Sequence, residues 1–199
     1  MSQHRMRGFS LVEMMAVITI GLMVTGFAVM TLQPSLRAGR VTNAYNIALM
    51  AMRQARDTAI GQRQQYFVTF NHNAKTPDTI TITQALTGTV VTTYSLPSDV
   101  TFQTLTGLPG AGSAPDNFGN GKTALDFDQG VGGGTKNVVY FSPDGSAQDV
   151  NGNLNNGVLY IAQNTDLYSS RAITVWGATG RMRGWRLYTN AGSPYWRQM

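Results

Sequence analysis

The sequence predicts an α+β fold: one long N-terminal helix packed against antiparallel β-sheets. Two observations carry this. From Phe9 to Leu32 the chain is almost continuously apolar, and from Leu36 to about Arg63 it keeps a helical period. After Gln65 the period switches to two, in short segments punctuated by Gly, Pro, Asn and Asp. A length of 199 residues suits one modest domain with an appendage.

The first element is a candidate membrane span. Met14–Leu32 alone makes a helix of about 28 Å at ~1.5 Å per residue, close to the roughly 30 Å hydrocarbon core of a bilayer. A cleaved secretory signal would have a shorter apolar stretch ending at a small-x-small site. Gly26-Phe27-Ala28 is a candidate for one, but the apolar stretch continues past it. A plain single-span anchor leaves Glu13 unexplained. It is the one glutamate in the chain, and an ionisable group inside a span costs about 2.5–3.5 kcal/mol at the helix centre.

Residues Arg7-Gly8-Phe9-Ser10-Leu11-Val12-Glu13-Met14-Met15 resemble the processing motif of type IV pilins and type II secretion pseudopilins. The resemblance implies that a prepilin peptidase cuts between Gly8 and Phe9, that Phe9 becomes the N-methylated terminus, and that Glu13, then the fifth residue, serves assembly. It divides the chain into a leader (1–8), a transmembrane and assembly helix (9–34), an amphipathic half of the same helix (35–64) and a β-rich head (65–199). The implied partners are other pilin or pseudopilin subunits, the prepilin peptidase and the inner membrane. The implied location is a single pass through that membrane with the head in the periplasm. Charge alone does not orient the span: Arg5 and Arg7 precede it, and Arg37 and Arg40 follow it.

Pro34 lacks the amide that would bond to Met30, so a kink or break is expected there, with Ser35 capping a fresh turn. Beyond it, Leu36, Ala44, Ile47, Ala48, Ala51, Ala55 and Ala59 can share one face, while Arg53 and Asp57 are spaced as an i,i+4 pair. Strands are expected at Tyr66–Phe70, Thr79–Gln84, Val90–Ser95, Val100–Leu105, Ala124–Asp128, Val138–Phe141, Val158–Gln163 and Ile173–Trp176. Gly107–Gly121 and Gly130–Gly134 read as flexible loops. Eight or nine strands resemble the larger head of the H-type pseudopilin (GspH/FimT) branch. So does the run Phe141-Ser142-Pro143-Asp144-Gly145, then Gly157–Ala162, Arg171–Trp176 and Gly180-Arg181-Met182-Arg183.

Catalytic and cofactor chemistry find little here. There is no cysteine, and the two histidines are His4 and His72. His72 lies in Asn71-His72-Asn73, a turn between strands. Gly119-Asn120-Gly121-Lys122-Thr123 fails the P-loop spacing, which needs glycine where Asp116 stands. Asp149-Val150-Asn151-Gly152-Asn153 begins like a calcium loop, but Leu154 and Tyr160 replace its glycine and glutamate. A site of other geometry from Asp144, Asp149 and Asn151 competes with a solvated turn. No cofactor, metal or enzymatic activity is expected.

The C-terminal segment is more distinctive. No acidic residue follows Asp166, whereas Arg171, Arg181, Arg183, Arg186 and Arg197 do, together with all three tryptophans, Trp176, Trp185 and Trp196. On a strand, Arg181, Arg183 and Trp185 share a face. The segment Gly180–Arg183 resembles the tail of FimT-type minor pilins that bind DNA during uptake, which would make Arg181, Arg183 and Arg186 phosphate contacts. The competing reading is a last hairpin whose tryptophans pack inward and whose arginines solvate its edge.

Overall fold

The computed structural model describes residues 9–74, 77–130 and 135–199. The leader with Gly8, and residues 131–134 of the second expected loop, lie outside them. Helix α1 runs from Leu11 to Gln62, and the chain divides into two compact units between Ala38 and Gly39.

In the first unit the expected break at Pro34 is absent, because α1 continues through it. Proline removes one backbone bond, whereas ending the helix would leave several amides and carbonyls without intrahelical partners. Ser35 is therefore an interior helical residue and caps nothing. The hydroxyls of this stretch bond back to the helix itself: Thr19 to Met15 O (2.8 Å), Thr25 to Gly21 O (2.8 Å) and Thr31 to Ala28 O (3.0 Å).

The second unit is built on the remainder of α1. Val41, Ala44, Tyr45, Ala48, Ala51, Met52, Ala55 and Ala59 are buried at a spacing of three or four, the predicted alanine face widened by Val41, Tyr45 and Met52. Leu36 is exposed and lies in the first unit. Arg53 and Asp57 share the outer side of the helix but form no ion pair. The helix ends at a left-handed Arg63 (φ 52°). Gln64 N–H bonds Ala59 O and Arg63 N–H bonds Ile60 O, a pairing that satisfies the last carbonyls.

Eleven strands follow among the described residues: β1 (Tyr66–Asn71), β2 (Thr79–Gln84), β3 (Val90–Ser95), β4 (Val100–Phe102), β5 (Leu125–Asp126), β6 (Val138–Phe141), β7 (Ala147–Gln148), β8 (Gly157–Gln163), β9 (Arg171–Trp176), β10 (Arg181–Asn190) and β11 (Ser193–Gln198). They form two antiparallel sheets, ordered β3-β2-β1-β6-β7 and β11-β10-β9-β8-β4, with β5 also on β8. Val68, Phe70, Ile80, Ile82, Val139 and Phe141 of the first sheet meet Phe102, Leu159, Ile161, Ile173 and Val175 of the second around the α1 alanines. Strand β8 is buried on both faces, which explains its unbroken apolar sequence. Its outer face carries a smaller cluster of Phe118, Val158, Tyr160 and Ala172, against which Trp185 and Trp196 pack.

The two longest differences from the sequence reading are β10 and the 107–121 loop. Strand β10 is ten residues long, where the sequence suggested only a terminal hairpin of unspecified extent. The loop has no strand, but it is pinned rather than loose: Ala114, Pro115 and Phe118 are buried, and Asp116 is bonded into the second sheet.

Close packing between α1 and β10 makes a test. A Cβ on Gly184 would overlap the Tyr45 hydroxyl and ring, so the bare backbone is what lets a buried tyrosine seat there. Gly184→Ala should cost roughly 1–3 kcal/mol. In thermal melts most of that loss should vanish when Tyr45 is also replaced by alanine, the coupling expected of two residues in contact.

Candidate functional sites

The N-terminal motif enters the described structure at Phe9. Met14 N–H bonds Ser10 O at 3.1 Å, closing the first turn of α1, and Glu13 lies in that turn. Its carboxylate therefore sits near the positive end of the helix dipole. Apolar side chains from Phe9 to Leu32 are exposed on all sides, and among the described residues α1 is the one helix long and apolar enough to cross a membrane. Each threonine within the stretch is satisfied by its own helix, whereas Glu13 has no partner among the described residues.

The weaker motifs are absorbed by local structure. His72 Nδ1 lies 3.0 Å from Asp78 Oδ1, and buried Asp78 also accepts from Asn73 N–H (3.1 Å) and Phe102 N–H (2.6 Å). The pair ties the β1–β2 turn to β4. Asn120 Oδ1 accepts from the amides of Lys122 (2.8 Å) and Thr123 (3.1 Å), a turn with no helix after it. Asp149, which is buried, accepts from the amides of Asn151 (2.8 Å) and Asn153 (2.9 Å) and from Asn153 Nδ2 (3.1 Å). Burial pushes its carboxyl up, but these bonds outweigh it and hold the group below its usual range. Asp144 accepts from Ser146 N–H and Oγ–H, which lower its pKa likewise. These oxygens are occupied by nearby donors of the chain.

The C-terminal arginines divide between the two faces of the second sheet. Arg181, Arg183 and Trp185 share a face, as the alternation predicted, while Arg186 is on the other. Gly180 adopts φ +58°, and a Cβ there would strike Gly145 O and the Arg56 guanidinium. Arg56 in turn donates to Gly145 O (3.0 Å) and Thr179 O (3.1 Å), stapling α1 to two turns. Arg181 is exposed beside Arg53 and Arg56. Arg183 is committed elsewhere: its Nη1 bonds Asp116 Oδ1 at 2.6 Å, and its guanidinium stacks 5.7 Å from the Trp176 ring centroid. The other Asp116 oxygen accepts from Thr174 Oγ (2.5 Å) and Trp176 Nε1 (3.2 Å), and Thr174 accepts from Trp185 Nε1 (3.1 Å). Arg181, Arg183 and Arg186 are thus not brought together as one contact surface. Asp116 was the residue sequence reasoning missed. Its one signal was a lone acidic residue in a long Gly-rich loop.

The family model described as the prokaryotic N-terminal methylation motif matches residues 3–29. No curated protein matches the chain. Among solved structures, the type IV minor pilin FimU of Pseudomonas aeruginosa is similar at 11% identity and a TM-score of 0.43, covering 76% of this chain and 90% of that one.

Proposed function

We propose that this chain is a minor pilin-like subunit, made as a precursor and assembled through its N-terminal helix into an extracytoplasmic filament. The observation that carries the reading is the methylation motif, within which the chain's single glutamate, without a partner among the described residues, lies near the start of an exposed apolar helix. In this reading the peptidase cuts between Gly8 and Phe9, Phe9 is methylated, and Glu13 meets the new amine of a neighbouring subunit in a low-dielectric setting. Neither charge is stable there alone, and together they fix axial register. The large two-sheet head fits the H-type pseudopilin branch, with a mechanical role in secretion or in pilus priming and the head in the periplasm. A DNA-uptake role through Arg181, Arg183 and Arg186 is disfavoured by the engagement of Arg183 with Asp116 and by the separation of Arg186 from the other two.

Intact mass of the membrane-extracted protein, expressed with and without a prepilin peptidase, tests this. The expected product lacks residues 1–8 and carries one added methyl group only when the peptidase is present. Retention of the leader, or a cut near Ala28, would overturn it.

A further inference from the structure

A row of three arginines crosses the far end of the second sheet. Arg186 on β10 lies directly opposite Arg171 on β9 and Arg197 on β11, so all three side chains leave the same face of adjacent strands. Like charges placed directly opposite one another destabilise a sheet. None of the three forms an ion pair with a carboxylate among the described residues. Arg171 is buried, and its Nη1 reaches only the carbonyls of Ser169 (2.9 Å) and Ser170 (3.2 Å). Burial, and then the nearby Arg186, push its pKa down to about 10, against weaker support from Tyr188, Asp166 and Tyr45. A buried cation beside two more, with no carboxylate in ion-pair contact and only two carbonyls to accept from its Nη1, is costly.

Two tyrosines complete the patch. The Arg186 guanidinium lies 5.1 Å, and that of Arg197 5.9 Å, from the Tyr188 ring centroid, and Tyr188 contacts Tyr195 across the hairpin. Arg186, Arg197 and Tyr195 are exposed. The row sits at the end of the head where α1 enters it. Gly184, two residues before Arg186, packs on Tyr45, and at the same end Arg40 bonds Asp99 (2.9 Å), which also accepts from Gln163 at the close of β8.

We propose that Arg171, Arg186 and Arg197, with Tyr188 and Tyr195, form a seat for the phosphate of an anionic phospholipid headgroup. The inference rests on the reading that the apolar half of α1 lies in a bilayer. Only eight residues separate Leu32, the end of the apolar stretch, from Arg40 at this end of the head, a span of at most about 29 Å, and tyrosine is at home in a headgroup layer. Guanidinium forks suit a phosphodiester. Three strands at ~4.8 Å spacing give a row only about 10 Å wide, the reach of one headgroup and too short to track a polynucleotide.

The test titrates the full chain, in neutral detergent, with dihexanoyl phosphatidylglycerol, dihexanoyl phosphatidylcholine, inorganic phosphate and a short duplex DNA. Saturable binding of the glycerol lipid is expected, about tenfold weaker in Arg186→Ala plus Arg197→Ala. It should be partly retained in the corresponding double lysine variant and unchanged in Arg181→Ala. Both changed positions are exposed, so the fold should persist, which a thermal melt checks. Four outcomes would overturn the proposal: equal affinity for the choline lipid, indifference to the double alanine change, equal affinity for inorganic phosphate, or tighter DNA binding through the same arginines. The titration is indifferent to leader removal. A chain that keeps residues 1–8 yet binds the lipid through this row would sink the filament reading and leave the lipid seat standing.

Discussion

Glu13→Gln is expected to give a protein that is cleaved, methylated and membrane-bound but poorly incorporated into filaments. In the proposed reading the peptidase acts at Gly8–Phe9, four residues from the change, and the apolar stretch that would hold the chain in a bilayer is otherwise unaltered. What changes is the one charge in that stretch. A lone carboxylate costs about 2.5–3.5 kcal/mol at the centre of a span and less in the first turn, where the helix dipole favours it; no side chain among the described residues offsets the remainder. If an incoming amine supplies that offset on assembly, losing it should lower incorporation by roughly tenfold, since each ~1.4 kcal/mol is a factor of ten. Phe9 lies two residues before α1 and four before Glu13, so pairing of the amine with the carboxylate of the same chain is the competing arrangement. A mixed experiment separates the two arrangements. Crosslinks between Phe9-region and Glu13-region probes on different copies are expected only for pairing between subunits. Normal incorporation of the glutamine variant would refute the role altogether.

The parts of the fold that were legible share a physical cause. Where one face of an element meets the core and the other meets solvent, periodicity records it. The alanines at 44, 48, 51, 55 and 59, and the strands Thr79–Gln84 and Val138–Phe141, emerged as read; the edge strand Val90–Ser95 did too, through its β-branched composition, since only Tyr94 packs on the core. What was hidden depended on distant residues. Strand β10 interleaves arginines with Met182, Gly184 and Leu187, because one face covers α1 while the other closes over a second small cluster. No single alternation survives two partly covered faces. Pro34 failed as a breaker because its cost is local, whereas the alternatives to continuing the helix are worse. Of the candidate site, the N-terminal motif was legible because it is contiguous. The arginine row was visible as an excess of charge after Asp166, but its alignment required the registers of β9, β10 and β11.

Asp116 is the position where a single change should do most damage to the head. It reaches Arg183 across 67 residues of sequence, and its side chain is 5% exposed against 26% for the arginine. Asp116→Ala removes the acceptor of three donors and leaves a mostly buried guanidinium without its anion. Arg183 Nε already lacks a partner. Breaking such a pair from one side costs about 3–5 kcal/mol. Asp116 also adopts φ 51°, a conformation that aspartate tolerates better than alanine does, which adds to the loss. Asp116→Asn should be milder, since it keeps an acceptor for Thr174 and Trp176. The double change Asp116→Ala plus Arg183→Met should recover much of the stability, because it removes both charges and keeps apolar volume beside Trp176. Denaturant midpoints for the wild type, Asp116→Ala, Arg183→Met and the double variant test this, and a double-variant loss equal to the sum of the two single losses would show the pair to be uncoupled. The result also governs how nucleic-acid experiments are read. If Arg183 is structural, its alanine variant would lose DNA binding by loosening the 107–121 loop. Arg181→Ala, which alters only an exposed side chain, is then the informative substitution.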